Sequence, residues 1–210
     1  MLKICNLTIE NLKTDIVTDN KNPQISFYLE SDKDKVHLEK CHLLVKKSDE
    51  IVWEVDTGTQ TGIIYSGKEL VPETEYEVCA SATDNYGEKA SAQISFMTGL
   101  MGNDWVGEWI TDGDYTFTEN KVSPEPMVFR KSIKAKGKVK KAYLYATALG
   151  LYQCSIDGKR VGKRYFAPGF TSYKNNLQYQ QYDVTDMMSA NKESLLEFTV
   201  RSEERRVGKE

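Results

Sequence analysis

Short runs rich in Val, Ile, Tyr, Phe and Thr recur along the chain roughly every 8 to 12 residues, separated by polar or glycine-containing turns, which is the spacing of strands in an all-β sandwich. In the first half they are ICNLTIENL, QISFYLE, HLEKCHLLVKK, IVWEVDTG, GIIYSG, YEVCASATDN and AQISFMT. Such a series makes a sandwich of about one hundred residues, so a first module is expected over residues 1–98. A second alternating series follows: MVFRKSIKA, KVKKAYLYATALG, LYQCSIDGKRVG, YFAPGFTSY, LQYQQYDVT and SLLEFTV. It predicts a second sandwich over 127–200, and that sandwich lacks a proper ending. No long amphipathic helix interrupts either series.

Local signals sharpen this pattern. In LVPETEYEVCASA, Pro72 fixes a bend and Tyr76 enters an alternating strand; a tyrosine there is expected to send its hydroxyl back to the backbone and pin a crossover, a structural role. Trp53 alternates with Val52 and Val55, as a half-buried packing residue would, with a sugar-stacking platform as the alternative. KKAYLYATALG is apolar on both faces, as a central covered strand would be. CSIDGKRVG places Asp157 and Gly158 where a two-residue hairpin turn needs positive φ. Thr185 precedes a short helix-like turn that its hydroxyl could cap. Between the modules, residues 99–126 collect Gly, Asp, Asn and Pro around Trp105 and Trp109, a linker expected to be docked.

The last ten residues, RSEERRVGKE over 201–210, abandon the alternation. One codon choice for them reads as a short-read sequencing adapter, so the segment is expected to be an artefact and to contribute nothing to the fold.

A net charge of −3, with lysines mixed among acids, lacks the footprint that nucleic acid requires, so no such partner is expected. The N-terminus builds no apolar signal core and no stretch approaches a spanning helix, which predicts a cytoplasmic protein with no membrane partner. Cys5, Cys41, Cys79 and Cys154 lack zinc spacing and are expected to be buried free thiols. His37 and His42 are five apart in a strand-like region, hence on opposite faces, which argues against a metal site. No glycine-rich phosphate loop appears. Neither a cofactor nor a metal is implied.

The run ATALGLYQCSIDGKRVG, then FAPGFTSY, then LQYQQYDVTD, within residues 128–188, resembles the N-terminal sandwich domain of bacterial α-L-rhamnosidases, glycoside hydrolase family 78. The first half, with NPQISFYLE, VWEVDTG, LVPETEYEV and FMTGL in order, is similar to the fibronectin type III or immunoglobulin-like module preceding that domain. Tyr28 and Phe170 stand where tryptophan is more usual, Tyr28 at a core position. The resemblance implies two tandem β-sandwiches, the second jelly-roll-like and incomplete, without the family's (α/α)6 barrel. It further implies that the parent enzyme hydrolyses terminal α-L-rhamnose with inversion, using two carboxyl groups. Those belong to the barrel, on which this piece is expected to dock, so no catalytic residue is assigned here. Glu108, Asp112, Asp114, Asp183 and Asp186 are expected to be surface or capping residues. Tyr143, Tyr145, Tyr152, Tyr165, Tyr173, Tyr179 and Tyr182 crowd the second module, mostly as core or edge residues. Tyr152, Tyr173 and Trp109 are the carbohydrate-binding candidates. A self-standing sugar-binding or adhesion module is the rival reading, and a plain spacer role for the first module the third.

Overall fold

The computed structural model describes residues 1–111 and 125–201. The chain divides into two units, Met1–Gly107 and Glu108–Glu210, with the division inside the segment read as a linker.

In the first unit, β1 (Lys3–Ile9), β3 (Gln24–Glu30) and β6 (Ile63–Ile64) form a three-stranded sheet in the order β1-β3-β6. The facing sheet has the order β2-β8-β7-β4-β5, from β2 (Val17–Thr18), β8 (Lys89–Thr98), β7 (Glu75–Asp84), β4 (Leu38–Lys47) and β5 (Glu50–Thr57). Period-two alternation builds the core between them: Val78, Ala80 and Ala82 of β7 meet Leu43 and Val45 of β4 and Ile25 and Phe27 of β3, all essentially inaccessible. All seven expected strands of this module form. β2 is the addition, paired parallel to β8 through Val17 and Met97. Tyr28 corrects an expectation: it is 56% exposed, and its neighbour Phe27 takes the core position because odd and even residues of β3 face opposite ways.

The buried Tyr76 hydroxyl accepts the Val71 N–H at 2.8 Å, and its ring stacks on Phe96 at 5.4 Å. Tyr76→Phe keeps the stacking and removes the acceptor. It is expected to cost about 1 kcal/mol, read as a lower urea midpoint with an unchanged slope.

In the second unit, the order β12-β11-β14-β9 joins β12 (Lys159–Arg160), β11 (Leu151–Ile156), β14 (Glu193–Arg201) and β9 (Met127–Lys134). A separate two-stranded sheet pairs β10 (Tyr143–Ala146) with β13 (Gln180–Asp183). Asp157 at φ 50° and Gly158 at φ 75° turn β11 into β12.

Three expectations are corrected here. β10 is not a central strand; among the described residues it pairs only with β13, and Tyr143, Leu144 and Tyr145 are half-buried. YFAPGFTSY forms no strand, because Phe166 (φ 57°) and Gly169 (φ 108°) turn the backbone left-handed, leaving only an isolated bridge from Ala167 to Tyr152. Thr185 lies inside the 3-10 turn Thr185–Met187 and does not cap it; its hydroxyl accepts the Ala142 N–H at 3.0 Å, while Asp183 Oδ1 accepts the Thr185 N–H at 2.9 Å. Arg201 ends β14 opposite Leu151, and residues 202–210 of the segment read as a tail lie outside the described residues.

Candidate functional site

Alternation along β11 sends Tyr152, Cys154 and Ile156 into the second unit's core, where each is buried. Tyr152 packs its ring against Phe198 at 5.7 Å. Its hydroxyl donates to Gln180 Oε1 at 2.8 Å and lies 3.1 Å from the Tyr182 hydroxyl. Burial, followed by the Tyr182 contact, holds this phenol well above its ordinary range. Tyr152 therefore presents no stacking face, and the carbohydrate-binding role expected for it gives way to a structural one.

The same group holds the loop that follows β12. Ala167 O accepts the Tyr152 N–H at 2.8 Å, Gln180 Nε2 donates to Pro168 O at 2.9 Å, and the Thr147 hydroxyl donates to Gln178 O at 2.7 Å. On this clamped backbone Tyr165, Phe166 and Phe170 are 73%, 75% and 58% exposed. The Arg160 guanidinium lies 4.0 Å over the Tyr165 ring. Tyr173 is half-buried, its ring 6.2 Å from Phe170. Trp109 is 65% exposed. Of the three sugar-binding candidates, then, Trp109 offers an open ring, Tyr173 sits beside one, and Tyr152 is closed off. Sequence reasoning passed over Phe166 and Phe170; the signal available was Pro and Gly between two aromatics in FAPGF, a turn that forces rings outward.

Elsewhere, Trp53 packs edge-on against Tyr65 at 5.2 Å. His42 lies on β4 with Nδ1 2.8 Å from Asp56 Oδ1, whereas His37 precedes the strand and donates its N–H to Asn85 Oδ1. Glu108 and Asp186 are exposed, and Asp112 and Asp114 lie outside the described residues. Among the described residues no group of His, Cys, Asp and Glu side chains could hold a metal ion. The expectation of four buried thiols holds for two: burial pushes Cys41 and Cys154 up to about 11, while Cys5 and Cys79 are only half-buried.

Comparison with known proteins gives these two sandwiches a family. The model of the Rha78A-like N-terminal immunoglobulin domain matches residues 4–102, and that of the α-L-rhamnosidase N-terminal domain matches 137–201. The chain belongs with the N-terminal region of the α-L-rhamnosidases. An α-L-rhamnosidase of Streptomyces avermitilis is 58% identical over 48 residues, covering 23% of this chain and 5% of that protein. One from Formosa agariphila is 26% identical over 210 residues, covering 86% of this chain and 22% of its own length. The solved α-L-rhamnosidase from Dictyoglumus thermophilum superposes with a TM-score of 0.81 at 26% identity, over 95% of this chain and 25% of that one. The chain thus spans between 5% and 22% of the curated α-L-rhamnosidases it matches, and both matched models are of N-terminal domains.

Proposed function

We propose that this chain is the accessory N-terminal part of an enzyme that releases terminal α-L-rhamnose from glycosides, and that its sandwiches support a catalytic domain elsewhere in the same polypeptide. The observation that carries this is the tandem match, immunoglobulin domain then rhamnosidase N-terminal domain, in that order along one chain. An inverting hydrolase needs a protonated carboxyl and a carboxylate roughly 6.5 to 9.5 Å apart across the scissile bond, and that pair is assigned to the catalytic domain.

The inner face of the second sandwich supports the same reading. Tyr152, Cys154 and Ile156 on β11 are at most 7% exposed, but their register neighbours Val200, Phe198 and Leu196 on β14 are only half-buried. One strand further, Met127, Phe129 and Ile133 on β9 are also half-buried. Among the described residues, a four-stranded sheet faced by two strands leaves apolar surface at its β9 side, and we infer that further strands of the parent protein cover it.

The test is to extend the reading frame from the source DNA and assay both products on an aryl α-L-rhamnoside. The extended protein is expected to hydrolyse it and the 210-residue chain to leave it untouched. Hydrolysis by the short chain, or an extension that encodes no hydrolase, overturns the reading.

A second reading, sugar binding by the accessory modules themselves, is favoured by the exposed rings of Trp109, Tyr165, Phe166 and Phe170.

A further inference from the structure

Between Arg130 and Lys141 the chain carries seven basic residues and no acidic one, although its acids outnumber its bases by 31 to 28 overall. The expectation that lysines and acids are evenly mixed fails over this stretch. Two of the seven are neutralised locally: Arg130 Nε lies 2.6 Å from Glu197 Oε2, and Lys141 Nζ lies 3.5 Å from Asp183 Oδ2. Lys131, Lys134, Lys136, Lys138 and Lys140 are all exposed, and none has an ion-pair partner among the described residues.

The backbone that carries these lysines is fixed at both ends. Ala135 O accepts the Asn191 N–H at 3.1 Å. Ala142 donates its N–H to the Thr185 hydroxyl and accepts the Val184 N–H at 2.9 Å. Between those anchors lies a shallow groove of about 300 Å³. Half-buried Ala135, Val139, Ala142 and Met188 make its floor, and exposed Lys136, Lys138, Lys140 and Lys141 its rim.

Like charges held this close repel one another, and a ligand bearing repeated negative charge relieves that repulsion. Lysines are point charges on flexible stems, so they suit an anion spaced along a polymer better than a single planar group that two-pronged arginine would grip. An apolar floor without an exposed aromatic offers the C–H face of a sugar ring a surface, but gives a nucleic-acid base nothing to stack on.

We propose that this groove binds a polysaccharide carrying carboxylate or sulfate groups, which would hold an acidic, rhamnose-containing polymer near the catalytic domain. The choice of a glycan rests on the reading given under Proposed function, but the test involves no hydrolysis, so the two fail separately.

The experiment is affinity electrophoresis of the 210-residue chain through gels containing polygalacturonate, dextran sulfate, neutral dextran or single-stranded DNA. Retardation by polygalacturonate or dextran sulfate is expected, and the polymer that retards identifies the anion; neutral dextran and DNA should leave mobility unchanged. The triple variant Lys136→Gln, Lys138→Gln, Lys140→Gln should lose retardation. A control triple, Lys3→Gln, Lys35→Gln, Lys89→Gln, removes the same charge from exposed positions of the first module and should keep it. Added salt should release the wild-type chain as the screening length contracts from about 10 Å at 0.1 M to about 3 Å at 1 M. No retardation by either acidic polymer, equal loss in both triples, or equal retardation by DNA overturns the proposal.

Discussion

Gly67→Ala is expected to destabilise the first module by about 3 kcal/mol, and by more if the neighbouring strand has to separate. A methyl group at this position would stand 2.4 Å from Trp53 Cβ, 2.6 Å from Val52 O and 2.7 Å from the Tyr65 hydroxyl. Two of these are backbone or backbone-proximal atoms of β5, so no rotamer change removes the clash. The segment would have to lift off the strand. That would stretch the Lys68 N–H bond to Val52 O (3.1 Å), disturb the bond that the Tyr65 hydroxyl donates to Lys68 O (2.5 Å), and open the edge-on contact between Trp53 and Tyr65. Urea unfolding followed by tryptophan fluorescence reads the effect as a lower midpoint, equivalent to a melting-point loss on the order of 10 °C or more. Gly58→Ala is the control: its added carbon meets nothing within 4 Å, so stability should be unchanged or slightly raised. Equal stability of the two variants would mean that residues 65–68 do not pack flush against β5.

This contact has no signature in the sequence, because a glycine needed for close approach reads the same as one needed for a turn. The seven strands of the first module were legible for the opposite reason. Each has one buried and one open face, and β7 writes that difference as a period of two over ten residues. β2 was not legible, since two residues paired in parallel to β8 carry no period at all. YFAPGFTSY misled because its composition favours strands while its geometry depends on the left-handed φ of Phe166 and Gly169, which composition does not encode. The lysine groove was hidden by averaging: a chain-wide balance of charge says nothing about a twelve-residue stretch without an acid. For Tyr152 the information was present and overruled. In LYQCSI it shares a face with Cys154 and Ile156, two of the residue types most often buried, and that parity outweighs the crowd of tyrosines around it.

Tyr152→Ala is expected to remove about 4 kcal/mol from the second unit, the usual cost of emptying a buried aromatic site. The ring's contact with Phe198 would go, and so would the hydroxyl that ties β11 to Gln180 on β13. Gln180 would keep its bond to Pro168 O but lose the donor to Oε1 inside a buried site, so the loop bearing Tyr165 and Phe166 would loosen with the core. Tyr152→Phe separates the two parts: it retains the ring and leaves Gln180 Oε1 without its donor, at about 1 to 2 kcal/mol. Hydrogen exchange of the backbone amides of β11 and β14 reports the loss directly, with about a thousandfold faster exchange for alanine and about tenfold for phenylalanine. A residue that stacked on sugar from the surface would behave in the reverse way. Phenylalanine would then leave exchange unchanged and alter only sugar retention, and that result would return Tyr152 to the binding site from which its burial removes it.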